Sequence, residues 1–468
     1  MRVGNAYPHF YELWDKFNAF TEGMDMQSLR FLVIGTCAFF STVQAAVQPD
    51  KISKKLAEWS IVAYIQADNN LSPFAEKSIS DMQLAPLTDS VNMLIQWDQP
   101  GNNKTWRYRI VNGGRIEDAS LAEEMGVNPV KELIDMAAWA KSSYNAKRWC
   151  IVLWNHGSGI IDPRFRGLNR GVPVSQAVKQ RVPWLEIPGL SIQRAKKDRG
   201  ILFDDSHDTY ATNQDLYTAF SHIKHDVLGK NVDIIGMDAC YMAMLEVGYQ
   251  IKDFADVLVA SEQSEPGDGW RYGSFLTPLC MNPAAFTASA LGATIVSTYD
   301  SYYKNRRETY YTQSAMDLSK LEAVKQSIDE FITAVAGCKQ ADATRIKIAI
   351  RAARRATIAL ATSDYVDLYS FYSALATQIS RGVNEGADEG KLLRPSALYN
   401  AAAYVLLQVL NDGMRKIMDA VIANAAGQQM SGVQGISIYY PKGKVHVSYP
   451  DTIFAQSTQW VRFVKEYQ

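Results

Sequence analysis

Seven- to ten-residue runs of almost unbroken apolar sequence, separated by helical or loop segments, are what most constrain this chain. They are Trp59–Asp68, Val91–Asp98, Thr105–Val111, Trp149–Asn155, Asn231–Asp238 and Ala255–Glu262. A strand reads this way when both of its faces are buried, because neither side has water to accept polar groups. Strands of that kind alternating with helices predict an α/β fold: a mostly parallel sheet with helices on both faces. The helices are expected around Pro73–Met82, after an Asn128 N-cap with Pro129 in the first turn, from near Thr212, and directly from Cys240 through CYMAMLEVGYQIKD. Beyond Asn282 the balance shifts to helix, at 283–303, 319–336, 341–360 and 397–425. Late strands are expected at Gln313–Leu318 and Val433–Pro441. The expected organisation is an α/β core over 58–310 and a largely helical C-terminal subdomain, 311–468, that returns strands to the core.

Composition narrows the function. Lys and Arg total 48 against 49 Asp and Glu, a net charge of −1, which excludes a chain-wide attraction to nucleic acid. Five cysteines without CxxC spacing are too few for a disulfide scaffold and do not form a zinc motif. Residues 1–46 read as an N-terminal extension and signal peptide. Arg30 precedes the apolar run Phe31–Phe40, and small residues allow cleavage near Ala45 or Ala46. Ten residues are too few to span a bilayer comfortably, so no stable membrane insertion is expected after cleavage. Met24 or Met26 could be the true start. The expected destination is the exterior, the periplasm or the cell surface; the alternative is an uncleaved anchor or a buried helix.

The segment 163–200 stands apart. Nine basic residues against Glu186 and Asp198 give it +7, and the rest of the chain −8. It is rich in Pro and Gly and has no sustained periodicity. Loops of this length are usually functional or disordered.

Two apolar strands run into reactive groups. WCIVLWN leads straight into His156-Gly157-Ser158-Gly159, and NVDIIGMD into Ala239-Cys240. Sites in open parallel sheets form at the carboxyl ends of strands. A cysteine at the start of a helix has its thiolate stabilised by the dipole and free N–H groups. Gly157 lets the backbone approach a substrate, so its N–H and that of Cys240 could form an oxyanion hole. Nucleophile, acid/base and oxyanion donors are then all present.

HGSG after one apolar strand and D-A-C after another resemble the clostripain family of cysteine peptidases. WSIVAYIQADNNL, ILFDDSHDTYATNQDL, MDACYMAMLEV, SEQSEPGDGWRYGSFL, QSAMDLSKL and GISIYYP extend the likeness over about residues 58–441. The resemblance implies the caspase-like fold shared with caspases, gingipains, legumains and separases, and His156 with Cys240 as catalytic dyad. It also implies cleavage of proteins or peptides after Arg or Lys, and self-processing in a loop between the dyad residues. The processed enzyme would then be a light and a heavy chain that stay together. Arg170 is the favoured cut, with Arg194, Lys196, Lys197 and Arg199 as a second cluster.

A pocket for a basic side chain needs carboxylates. Asp238, two residues before Cys240, and Asp268, in GDGW, are expected to supply them, with Trp270 as a wall. No cofactor is required by this chemistry. Calcium could bind an acidic cluster of Asp204, Asp205 and Asp208 around His207. His207 also competes as the base but lacks the strand–His–Gly context, and no third residue orienting the histidine is evident. His222 and His225 read as structural and Cys150 as buried and inert; Cys280 and Cys338 could pair. Two other readings are a catalytically silent binding protein on the same scaffold and a thiol amide hydrolase acting on small substrates.

Overall fold

The structure is a computed structural model and describes residues 56–101, 104–121, 123–161, 200–358, 360–384 and 395–468. The signal segment 1–46 and residues 163–199 of the basic loop lie outside the described residues, and with them Arg170, Arg194, Lys196, Lys197 and Arg199.

Thirteen strands are described: β1 (Ala57–Gln66), β2 (Val91–Asp98), β3 (Thr105–Val111), β4 (Gly114–Leu121), β5 (Ala146–Trp154), β6 (Ile201–Asp204), β7 (Thr209–Ala211), β8 (Val232–Asp238), β9 (Ala255–Ala260), β10 (Thr312–Asp317), β11 (Tyr365–Asp367), β12 (Val421–Ala426) and β13 (Ser437–Tyr439). Nine of them form one sheet in the order β12-β10-β9-β8-β5-β1-β2-β3-β4. The central five, β9, β8, β5, β1 and β2, are parallel. Antiparallel strands close both edges. Five of the six runs supply the parallel centre, where both faces are covered, and the sixth, Thr105–Val111, is antiparallel β3.

Along the middle of the central strands, side chains alternate between two cores. On β5, Ile151 and Leu153 enter one core, and Cys150, Val152 and Trp154 the other. On β8, Ile235 and Met237 separate from Ile234 in the same way. Each fully buried aliphatic chain contributes about 1.5–3 kcal/mol by leaving water. The helices Ser72–Met82, Tyr272–Met281 and Ala288–Asn305 cover one face. The helices Pro129–Ser143, Asn213–His222 and Leu245–Ile251 cover the other, together with the C-terminal helices. Local signals set the helix starts. Asn128 Oδ1 accepts the Lys131 N–H at 3.1 Å ahead of Pro129, and Thr212 and Asp215 form a reciprocal capping box.

The C-terminal region does more than return strands. β10 and β12 complete the main sheet, whereas β13 pairs with β11 in a separate ribbon. The helical pattern read over 397–425 ends at Ala420, and the next six residues are β12. That ribbon also braces the segment after Cys240: the Ser437 N–H donates to Ala243 O at 2.9 Å, and buried Glu246 accepts Tyr439 N–H and Tyr449 O–H, both at 2.8 Å. Cys280 and Cys338 are free thiols in opposite cores, so the pairing considered from sequence does not form. Burial pushes both up to about 11 and Cys150 further, which leaves them as inert packing groups.

Candidate active site

Trp154 of β5 lies opposite Asp238 of β8 in parallel register. Two residues further on, the strands deliver His156 and Cys240 side by side. Gly157 closes the approach: a Cβ there would stand 2.3 Å from the Cys240 carbonyl oxygen, so only glycine lets the histidine loop meet the cysteine turn. Asn155, buried just before the histidine, ties four strand ends together. Its amide donates to Gln66 O and, at 2.9 Å, to Phe203 O; its side-chain oxygen accepts the His156 N–H, and its own N–H donates to Asp238 O at 3.3 Å.

The histidine ring has an orienting partner that sequence did not reveal. Asn70 Oδ1 lies 2.7 Å from His156 Nε2, and the Phe203 ring meets the imidazole edge-on. Asn70 sits 86 residues upstream, on the turn that follows β1. The contact at Nε2 orients the ring.

The surroundings of Cys240 differ from expectation. The following helix begins at Leu245, not at the cysteine, so no helix dipole acts on the sulfur. Instead the chain turns sharply through Tyr241, whose φ of 63° is left-handed, a conformation costing about 1–3 kcal/mol in a non-glycine residue. The turn is pinned by Tyr241 N–H to Gln263 O at 3.1 Å and Ala243 N–H to Ser261 O at 2.9 Å. The donor to the sulfur is a backbone group: Glu265 N–H points at Cys240 Sγ, 3.2 Å away. Such a bond favours the thiolate.

Glu265 brings a second carboxyl group beside Asp238. Asp238 is buried and accepts Tyr272 O–H at 2.9 Å and Trp270 N–H at 3.3 Å. Glu265 accepts Gln313 Nε2 at 3.2 Å on one oxygen; the other is buried and has no donor. Burial pushes Asp238 up to about 6, against hydrogen bonds from Glu265, Tyr272 and Trp270. Burial, then the charge of Asp238, holds Glu265 well above the usual carboxylate range. Asp238 and Glu265 are thus an acid pair on the segments that flank Cys240, with the Glu265 N–H on its sulfur.

The remaining sequence candidates fall elsewhere. Asp268 is on the rim, bonded to Tyr302 O–H at 2.8 Å and 3.7 Å from both Lys77 and Arg306. The Trp270 indole does not wall a pocket: it is 1% exposed and packs beneath Gly236, so its backbone N–H is what reaches Asp238. Asp204 is buried, bonded to Gln66 and His207, while Asp205 and Asp208 are exposed; the three do not gather as one ligand set. His207 pairs with Asp204 and Glu124, and His222 with Asp226. The oxyanion donors proposed from sequence, Gly157 N–H and Cys240 N–H, belong to the two segments in backbone contact.

Residues 63–173 and 189–467 match the clostripain family, and the chain belongs to that family of cysteine peptidases. Clostripain of Hathewaya histolytica is 26% identical over 225 residues, which is 43% of this chain and 36% of that protein's length. A secreted C11 cysteine protease of Bacteroides thetaiotaomicron, solved with an irreversible peptide inhibitor, superposes with a TM-score of 0.58 at 18% identity, over 86% of this chain and 99% of that one. An inactive zymogen C11 protease of Parabacteroides distasonis gives 0.55 at 17% identity, over 86% and 99%. At these identities the solved structures establish the fold, which is the caspase-like arrangement that the motifs implied.

Asn70→Ala removes the acceptor that fixes the imidazole while leaving the dyad in place. We expect kcat on a peptide substrate to fall by roughly 10- to 100-fold, with KM little changed. Steady-state kinetics check this, and an unchanged kcat would remove Asn70 from the site.

Proposed function

We propose that this protein is an exported endopeptidase that cuts after Arg or Lys through Cys240 and His156, and that it activates itself by cutting within the 163–200 loop. The observation that supports the reading is the close approach of Gly157 to the Cys240 carbonyl, which brings the segments carrying His156 and Cys240 against one another. Cys240 Sγ attacks the scissile carbonyl, and the N–H groups of Gly157 and Cys240 hold the oxyanion. The His156 imidazolium protonates the leaving amine and then, as a base, activates the water that releases the acyl-enzyme. Asn70 keeps the ring in place through both steps.

Specificity follows from the Asp238–Glu265 pair. A buried cation on the substrate lets both carboxyl groups ionise and gives the donor-free Glu265 oxygen a partner. Asp268, already engaged by Lys77 and Arg306, contributes to the field at the rim.

Self-processing is supported by the way the basic segment is anchored. The Ser158 N–H donates to Gly200 O at 2.9 Å, and the Gly200 N–H returns a bond to Ser158 Oγ. Gly157 also bridges to Ile201. Both ends of the excursion are therefore clamped at Gly157 and Ser158, one and two residues past His156, and tethering raises its concentration there far above that of a free peptide. A cut between them leaves β5 on a light chain and β8 on a heavy chain, paired in the same sheet. Export rests on the signal-like segment, and among the described residues no helix is long and apolar enough to cross a membrane.

Intact-mass analysis tests the processing. Wild-type protein should yield two chains with a new N-terminus after a basic residue in 163–199, and Cys240→Ala one chain. Identical nicking of the variant would assign the cut to another protease.

The carboxyl pair makes a pH signature. Asp238 is raised to about 6, so below that pH the pair holds its protons and cannot balance a guanidinium. The ratio of kcat/KM for an arginine peptide over its citrulline isostere, in which titration of the dyad cancels, should rise as pH increases through about 6. A ratio flat from pH 5 to 8 would exclude the pair from recognition.

A further inference from the structure

One side chain of the C-terminal region reaches both reactive segments, and the chemistry proposed for the dyad does not use it. Tyr365, the first residue of β11, is buried. Its O–H donates to Ser158 O at 2.5 Å, across 207 residues of sequence. Its ring lies against Gly159: a Cβ there would stand 2.8 Å from Tyr365 Cε2 and 2.6 Å from Met244 Sδ. The same ring meets that of Tyr241 edge-on, with centroids 6.2 Å apart. Tyr365 therefore packs against the loop that follows His156 and against the residue that follows Cys240.

Ser158 stands between two glycines, Gly157 and Gly159, the second at a left-handed φ of 74°. Glycine leaves the backbone wide freedom, so the peptide planes around Ser158 are set by hydrogen bonds and not by neighbouring side chains. The Ser158 N–H donates to Gly200 O at 2.9 Å, Ser158 Oγ accepts the Gly200 N–H, and the Ser158 carbonyl accepts the Tyr365 O–H. These ties differ in their footing. Gly200 closes the basic segment, so a cut in that segment leaves it beside the new terminal stretch of the heavy chain, where order is weakest. Tyr365 stands on a fixed ribbon. It pairs with Tyr439 of β13, and Leu368, just past β11, donates its N–H to Ile436 O at 3.0 Å. Asp367, buried at the end of the same strand, accepts Ser370 N–H at 2.5 Å and Gln434 N–H at 2.7 Å.

We infer that Tyr365 is a positioning residue for the oxyanion donors: through the Ser158 carbonyl it holds the Gly157 peptide with its N–H toward the oxyanion, and it keeps that hold after the loop is cut. The clamp itself is independent of the peptidase reading; its effect on the oxyanion rests on it. Such donors help only when they are aimed before the charge develops. A displacement of about 1 Å at the reacting centre is enough to cost on the order of 100-fold in rate. The hydroxyl alone carries this effect, because the ring would still pack against Gly159 and Tyr241 without it.

The test compares full-length wild-type protein with Tyr365→Phe, which removes the hydroxyl and keeps the ring. On an arginine peptide kcat should fall about tenfold with KM little changed. Affinity for a peptide aldehyde, whose thiol adduct puts its oxygen where the oxyanion forms, should fall by a similar factor. Alkylation of Cys240 by iodoacetamide, which needs the thiolate but no oxyanion donor, should keep its rate. Hydrogen exchange over residues 156–160 should quicken in the variant while β5 stays protected. An unchanged kcat and aldehyde affinity would overturn the inference, and so would an alkylation rate that falls with kcat, which marks general loosening. Unchanged exchange over 156–160 would overturn the clamp whatever the activity. A wild-type protein that cuts no basic peptide, yet differs from the variant in exchange as expected, would keep the clamp and remove the peptidase reading instead.

Discussion

The parallel pairing of β5 with β8 is the constraint on which the cleft depends. Trp154 opposite Asp238 fixes where both strands end, and a one-residue slip would exchange the cores that their side chains fill. The two cores therefore act as a gauge: Ile151 and Leu153 on one side, Val152 and Trp154 on the other, allow one register only. Asn155 then converts register into position. By bonding to Gln66, Phe203, His156 and Asp238 at once, it sets the ends of β1, β5, β6 and β8 relative to each other.

Around that frame, Cys240 is held in a strained turn and not at a helix end. Tyr241 keeps its left-handed φ because the backbone at Ser261 and Gln263 accepts the N–H groups on either side of the turn. Those partners are themselves braced from the C-terminal region. Gln263 Oε1 accepts Ala361 N–H at 3.0 Å, buried Glu262 accepts Gly435 N–H at 2.9 Å, and Ser437 bonds to Ala243. The C-terminal region is thus part of what shapes the cysteine's environment.

Sequence made the parallel centre legible, and with it the placement of His156 and Cys240 at adjacent strand ends, because unbroken apolar runs ending in His-Gly and Ala-Cys leave little choice about where those groups stand. It misplaced the helix after Cys240. The apolar periodicity of MAMLEV continues backwards through residues whose backbone bonds to Ser261 and Gln263 instead, and no local signal announces partners twenty residues away. β12 was read as helix for a related reason: VIANAA follows a long helix without a stop signal. Asn70 and Glu265 were invisible because their roles arise from contacts across the sheet, Asn70 with a histidine 86 residues on and Glu265 through a backbone N–H that any residue type carries. Trp270 was misjudged because an aromatic in the loop after a strand looks the same whether it walls a pocket or, as here, fills the space that Gly236 leaves below β8.

The central claim is that the register of β5 and β8 builds a thiol site selective for a basic side chain. An affinity label tests it most directly. Active protein is incubated with a peptide ketone that ends in arginine and carries a thiol-reactive leaving group, and with its citrulline counterpart, followed by peptide mapping. The account predicts one adduct, on Cys240, formed far faster by the arginine label. Labelling of Cys150, Cys280 or Cys338, or equal rates for the two labels, would contradict it.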